Sequence, residues 1–482
     1  MLIVYKKKGV KAVTGKRAFR LILALLFTLL LALSFSACST AGEVAAQLVE
    51  ETSAPPEPTP RELKLGSLSI SPDAESLSLE GTGATLEDLM SLSGELDKLR
   101  EISLGVTEAR LDQIRAVEAA FPQAEVNWKV LTPCGEVDGR AESLDLTAAE
   151  DADVEEIISA CALLPELKTV VLAPEDGVTT LSFESLSALA EALPGAELNC
   201  RFELFGQTAD WTTEKLKYCK TDIGNGGVDK FRAALPYLRS LTLLRFENCG
   251  IDDNDKMAQL RSDFPDAKVV WSINIGGYTF MTDTTLINDG DTNLLRDYNV
   301  DVLRYMPDVL YLDIGHNHHL SNIEFVRNWP KLQVVILTLS EIRDITPLED
   351  CPDMEYLEMV STGIESIDAV AGMDKLEYLN LGCMWNLSDL SPVFGLKNLK
   401  IVRICGSTFN GRITQASVAE LKEALPESTF VSDYGGDPTK SGLWRYNNDG
   451  SLTERYALLR EQMLYDLNWQ LRLSNSPSGE ED

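Results

Sequence analysis

One pattern fixes what this chain can fold into. Between Val309 and Ser407 the sequence apolar-x-x-apolar-x-apolar-x-x-(small or polar) returns five times. It reads Val309-Leu312-Ile314-Asn317, Leu332-Val335-Leu337-Ser340, Met354-Leu357-Met359-Thr362, Leu376-Leu379-Leu381-Met384 and Leu399-Val402-Ile404-Ser407. The starts are separated by 23, 22, 22 and 23 residues. A fixed period of this size belongs to a solenoid, in which each unit buries its apolar face only against its neighbours. The second half of each unit adds Leu320-Ile323-Val326, Ile342-Ile345-Leu348, Ile364-Ile367-Val370 and Leu387-Leu390-Val393. These apolar residues are expected to fill the interior as the chain returns along the other side.

Residues 309–407 resemble the leucine-rich repeat family in its 22-residue bacterial surface-protein form. The resemblance implies an α/β solenoid: a horseshoe with a parallel concave sheet and a convex side of mixed helix and loop. The chain departs from the family at the polar turn position. Only Asn317 is the family's asparagine; Ser340, Thr362 and Ser407 are shorter substitutes, and Met384 leaves its turn in need of another hydrogen-bond donor.

Upstream the signal continues with a longer period. Leu77 in Ala74-Glu75-Ser76-Leu77-Ser78-Leu79 recurs as Leu144 after 67 residues, as Leu216 after 72 and as Leu286 after 70. Second strands are expected at Leu99-Ile102-Leu104, Leu167-Val170-Leu172 and Leu241-Leu244-Phe246. Third strands alternate as Val126-Trp128-Val130, Leu198-Cys200-Phe202 and Val269-Trp271-Ile273. Phe121-Pro122, Leu193-Pro194 and Phe264-Pro265 should stop the helix before each third strand. Residues 63–290 therefore read as three degenerate longer modules, which resemble repeat modules of large secreted proteins of Gram-positive anaerobes. Residues 291–435 hold the regular repeats and a last strand at Phe430-Val431. One parallel sheet is expected to run through residues 75–405. Residues 436–473, with Trp444, Tyr446, Tyr456, Leu459, Met463, Tyr465 and Trp469, read as a helical C-terminal cap, and 474–482 as an acidic tail.

The N-terminus carries an address. Residues 1–20 hold seven Lys or Arg and no acid, and Leu21 to Ala37 is almost unbroken apolar. This is the charged and apolar layout of a secretory signal, so residues 1–37 are read as a signal peptide. Phe35-Ser36-Ala37-Cys38 resembles the bacterial lipobox, which implies lipidation of Cys38; Phe35 departs from the usual aliphatic residue. Ordinary cleavage near Ala41 and retention of the apolar run as a membrane span are the alternatives. Residues 38–62, with Pro55, Pro56, Pro58 and Pro60, read as a disordered tether. The expected location is exported, lipid-anchored at the outer face of the cytoplasmic membrane.

Formal net charge is −32, and near −39 once residues 1–37 and their seven cations are removed. Such a surface excludes nucleic acid as a partner, because phosphate neutralisation needs basic patches. Eight of the nine cysteines lie beyond Cys38. Cys200 stands where neighbouring modules have Trp128 and Trp271, and Cys249 takes a polar-turn position. They read mostly as reduced, buried thiols. All three histidines, His316, His318 and His319, share one loop; they are weak metal candidates, and no cofactor is expected. Asp252-Asp253-Asn254-Asp255 and Asn447-Asn448-Asp449-Gly450 lack the full calcium-loop pattern and read as turns.

Side chains alternate along a strand, so the positions flanking each buried middle residue should project from the concave face. One column is Tyr311, Val334, Tyr356, Tyr378 and Ile401. The next is Asp313, Ile336, Glu358, Asn380 and Arg403. Tyrosines and aliphatics beside carboxylates suggest an exposed recognition surface for protein, peptide or glycan. The function expected is a membrane-anchored extracellular binding protein without enzymatic activity. The alternatives are an envelope spacer without specific ligand, or a carbohydrate-active enzyme.

Overall fold

The computed structural model describes residues 62–289, 293–404 and 411–431, with isolated residues between 449 and 457. The signal segment 1–37, Cys38, the tether to residue 61, the polar turn at Ser407, nearly all of the cap 436–473 and the tail 474–482 lie outside the described residues.

The solenoid opens on a hairpin of β1 (Leu63–Leu65) and β2 (Leu68–Ile70). The first module is β3 (Ser76–Ser78), α1 (Leu86–Ser91), β4 (Glu101–Val106), α2 (Leu111–Ala120), β5 (Glu125–Thr132) and β6 (Gly135–Asp138). The second is β7 (Ser143–Asp145), α3 (Val154–Cys161), β8 (Thr169–Val171), α4 (Phe183–Ala192), β9 (Glu197–Asn199), β10 (Arg201–Leu204) and β11 (Gln207–Asp210). The third is β12 (Lys215–Cys219), α5 (Gly224–Ala234), β13 (Leu243–Glu247), α6 (Asn254–Asp263), β14 (Lys268–Ile275) and β15 (Tyr278–Met281). The regular array follows as β16 (Leu286–Asn288), β17 (Tyr311–Asp313), β18 (Val334–Ile336), β19 (Tyr356–Glu358), β20 (Tyr378–Asn380) and β21 (Ile401–Arg403). Helix α7 (Gln415–Ala424) and β22 (Thr429–Val431) come last.

Local chemistry explains the helices. Thr85 caps α1 by accepting from the Asp88 amide, while the Asp88 carboxylate accepts from the Thr85 amide. That reciprocal pair satisfies two donors that a helix start otherwise leaves open. Helices α2, α4, α6 and α7 end at Phe121, Leu193, Phe264 and Leu425, each followed by proline. Proline cannot continue the ladder of helical hydrogen bonds.

The sheet is parallel within each module and along the array, as the sequence leads one to expect, but it is not continuous. Strands β3–β4–β5, β7–β8–β9, β12–β13–β14 and β16 to β22 form separate parallel runs. Hairpins interrupt them: β5 pairs antiparallel with β6, β10 with β11, and β14 with β15. The turn Gly276-Gly277 has positive φ at both residues, as does Phe205-Gly206. That is the two-residue geometry that joins twisted antiparallel strands. The expectation of one parallel sheet over residues 75–405 is corrected here, because each third strand closes its module on a hairpin.

The interior is as the periodicity demands. Leu312, Val335, Leu357, Leu379 and Val402 stack in register from strand to strand and are fully buried. The returning Leu320, Ile323 and Val326 and their equivalents are buried, the last of each set in a short 3-10 turn such as Glu324–Asn328. After each of β17 to β20 one residue adopts positive φ: His316, Leu339, Ser361 and Cys383. The polar residue that follows closes the turn. Asn317 is buried, donates to Asp289 and the Leu295 carbonyl, and accepts from the His319 amide. At the turn without a polar residue, the Thr362 hydroxyl donates to the Met384 sulfur at 3.1 Å. Two buried tryptophans link neighbouring units, Trp128 donating to the Leu163 carbonyl and Trp329 to the Leu303 carbonyl, while Trp271 donates to Asn254 within its own module.

Candidate functional site

Each array strand is three residues long, so its middle side chain enters the interior and its two flanking side chains leave on the opposite face. Register places the first positions side by side as Leu286, Tyr311, Val334, Tyr356, Tyr378 and Ile401. It places the third positions as Asn288, Asp313, Ile336, Glu358, Asn380 and Arg403. All ten concave-face residues expected from the sequence therefore share one face and two columns.

Their exposure differs from the expectation. Tyr311, Val334, Ile336, Tyr356 and Ile401 are buried and form, with Leu286, a second apolar cluster separate from the interior one. Only Tyr378 and Asp313 are half-buried. Glu358 and Asn380 are 0% exposed and Arg403 1%. The expected exposed row is thus a covered one. Alternation along a strand tells which face a side chain takes, but not whether something else packs on that face.

The chemistry of the face is mixed. The rings of Tyr356 and Tyr378 lie 5.8 Å apart at 34°. The Glu358 carboxylate accepts from the Thr338 hydroxyl at 2.5 Å and from the Tyr356 hydroxyl at 3.4 Å. Asp313 accepts from the Gly315 amide at 2.9 Å and from the Tyr311 hydroxyl at 3.4 Å. Asn380 accepts from the Gly382 amide. Glu358 and Arg403 stand two strands apart with Asn380 between them, about 10 Å by ordinary strand spacing. A carboxylate and a guanidinium taken out of water cost several kcal/mol each unless they are well partnered.

Two contributors escaped the sequence reading. Leu286 starts the aromatic column, and the repeated Thr285-Leu286-Ile287 segment held that signal. Asp289 follows β16 in the register of Ile314 and is buried, accepting from the Leu294 and Leu295 amides and from Asn317. An acid in place of an apolar residue hid it.

The other candidates are dispersed. His316, His318 and His319 are exposed, and His318 Nδ1 stands 3.7 Å from Glu341. Among the described residues no group of three or more His, Cys, Asp and Glu gathers to hold a metal ion. Cys38 lies outside the described residues. All seven described cysteines are free, and Cys161, Cys200, Cys249, Cys351 and Cys383 are buried. Burial pushes the Cys161 thiol up to about 11 and those of Cys200 and Cys351 to about 12. Among the described residues no helix is long and apolar enough to cross a membrane.

No family model matches the chain. No curated protein matches it. Among solved structures it is similar to an internalin of Listeria monocytogenes, 16% identical, covering 74% of this chain and 85% of that one with a TM-score of 0.27. An internalin C2 of the same organism is 18% identical over 45% of this chain and 80% of that one, TM-score 0.24. A leucine-rich repeat protein of Leptospira interrogans is 14% identical over 70% of this chain and 91% of that one, TM-score 0.28. These neighbours are leucine-rich repeat proteins, and at such values the likeness carries nothing about ligand or activity.

Proposed function

We propose that this leucine-rich repeat solenoid is a non-enzymatic binding protein, held outside the cytoplasmic membrane by a lipid on Cys38, that recognises an extended polypeptide segment on the outer face of strands β16 to β21. The second apolar cluster carries the reading. A sheet face left to water alternates apolar inside with polar outside. Here the outside column is Leu, Tyr, Val, Tyr, Tyr and Ile, a composition suited to being covered. Aliphatic Val334, Ile336 and Ile401 favour a polypeptide over a glycan. Glu358, Asn380 and Arg403 supply the polar selectivity. A spacer without ligand has no use for such a face and is better served by uniform charge.

A photoreactive phenylalanine analogue at position 378, in the intact chain on the cell surface, tests the reading. A covalent adduct with a separate polypeptide is expected, at several times the yield from exposed Tyr298. Equal yields from the two positions would overturn it.

A further inference from the structure

We infer that the outer face of β12, β13 and β14 is a docking surface for an acidic polypeptide segment that carries carboxylates at alternate positions. It uses none of the residues of the β16 to β21 face, so it stands or falls apart from the binding reading above.

The inner side chains of these strands, among them Leu216, Tyr218, Phe246 and Trp271, belong to the interior cluster. The residues between them point outward. Of the ten outward positions four are cations, Lys215, Lys217, Arg245 and Lys268, and one is an acid, Glu247. The whole chain runs the other way, with 43 Lys and Arg against 75 Asp and Glu. The second module follows the chain. Its outward positions on β7 to β9 are Ser143, Asp145, Thr169, Val171, Glu197 and Asn199, with no cation.

Register gathers the charges. Lys215, Leu243 and Lys268 stand side by side, and Lys217, Arg245 and Val270 form the next row. Lys215, Lys217 and Lys268 are exposed. Arg245 donates to Asp283 at 2.9 Å and Lys268 to Asp308 at 2.8 Å. The side chains of Lys215 and Lys217 have no hydrogen-bond or ion-pair partner among the described residues. Strand β12 is an edge of its sheet, and charge there also discourages pairing with a second sheet. That role needs charge on β12 alone, whereas Arg245 and Lys268 carry it across two further strands.

The face continues into a cleft of about 460 Å³, which Lys268 and Val270 line together with Arg261, Asp266, Asp308 and Lys331. Arg261 reaches it from α6, stacked on Trp271 at 4.8 Å and donating to the Tyr305 carbonyl at 3.0 Å. No carboxylate among the described residues bonds to its remaining donors.

Spacing selects the ligand. Lys215 and Lys217 are two residues apart on one strand, about 7 Å, the distance between alternate side chains of an extended polypeptide laid alongside. Carboxylates at alternate positions meet them in turn, and half-buried Leu243 offers an apolar contact between the cations. A long phosphate polymer would run off this patch onto the like charge of Asp145 and Glu197.

Fluorescence anisotropy of a labelled peptide alternating Glu and Ser, titrated with the full chain, tests the surface. Saturable binding is expected, weakening as salt rises from about 50 to about 200 mM because the lysines are exposed. Lys215→Glu/Lys217→Glu should weaken it at least ten-fold while the melting temperature moves by only a few degrees. Lys64→Glu/Lys98→Glu makes the same change of net charge at exposed positions elsewhere and should leave the affinity within about two-fold. No saturable binding by the native chain, or an equal loss in both pairs, would overturn the inference. Linear polyphosphate bound more tightly than the peptide, with the same loss in the Lys215/Lys217 variant, would overturn the polypeptide and assign the face to phosphate polymers.

Discussion

At the residue scale the sequence divides into side chains whose neighbours are set by the repeat and side chains whose neighbours are not. Leu357 belongs to the first group. It is fully buried between Val335 and Leu379 in the interior column. Leu357→Asp places an unpaired charge there and should cost about 4 kcal/mol or more, read as a loss of the cooperative thermal transition. A melting curve matching the native chain would break the repeat assignment. The thiols follow the same logic. Cys161, Cys200 and Cys351 sit in apolar surroundings that hold their thiols well above the ordinary range. The thiolate is the reactive form. With iodoacetamide at pH 8, exposed Cys219 should be alkylated first among the described cysteines, and those three only on unfolding. Rapid native labelling of Cys200 would contradict its burial. Cys200 was legible because it fills the register of two tryptophans. Tyr356 was legible only in direction: alternation sends it to the outer face, but says nothing of its burial there.

At the element scale, strands, returning turns and helix stops were readable because each is a local pattern. Proline after Phe121, Leu193 and Phe264 marks three helix ends. The hairpin partners were not read. β6 (Gly-Glu-Val-Asp) and β11 (Gln-Thr-Ala-Asp) are short and polar, so their pairing comes from the turn rather than from apolar alternation. Gly276-Gly277 was the available signal for the third hairpin. The junction between the last module and the array carries its own test. Asp308 accepts from Lys268 on β14 at 2.8 Å and from Lys331 at 2.6 Å. Burial alone would raise its carboxyl, but hydrogen bonds and charge from Lys268 and Lys331 hold it below the usual carboxylate range. A carboxyl depressed in the folded state contributes stability that is fully present above its unfolded value, about 4, and is lost as pH falls through the folded one. Asp308→Asn should therefore lower stability at pH 7 by no more than about 1 kcal/mol, since both lysines are largely exposed. The difference should close in melting curves taken below pH 3. A difference that persists there would assign the effect to packing.

At the scale of the whole molecule, the proposed signal (1–37) and tether (38–62) precede the repeat array, the order that a binder held away from a membrane would need. Mass spectrometry of the mature N-terminus checks the anchor: a diacylglyceryl-modified Cys38 is expected, and an unmodified start at another residue would remove it. The solenoid was legible because its period is written in the sequence. The burial of the outer face was not, because alternation records which face a side chain takes and not whether that face is closed to water. Array and binding face converge on Tyr378, the one half-buried tyrosine of the column, whose truncation disturbs packing least. The most direct measurement is the affinity of the native chain and of Tyr378→Ala for the polypeptide captured at position 378, by calorimetry, with melting temperatures recorded alongside. A loss of at least ten-fold with a shift in melting of only a few degrees is the predicted result. Unchanged affinity would contradict recognition through this face.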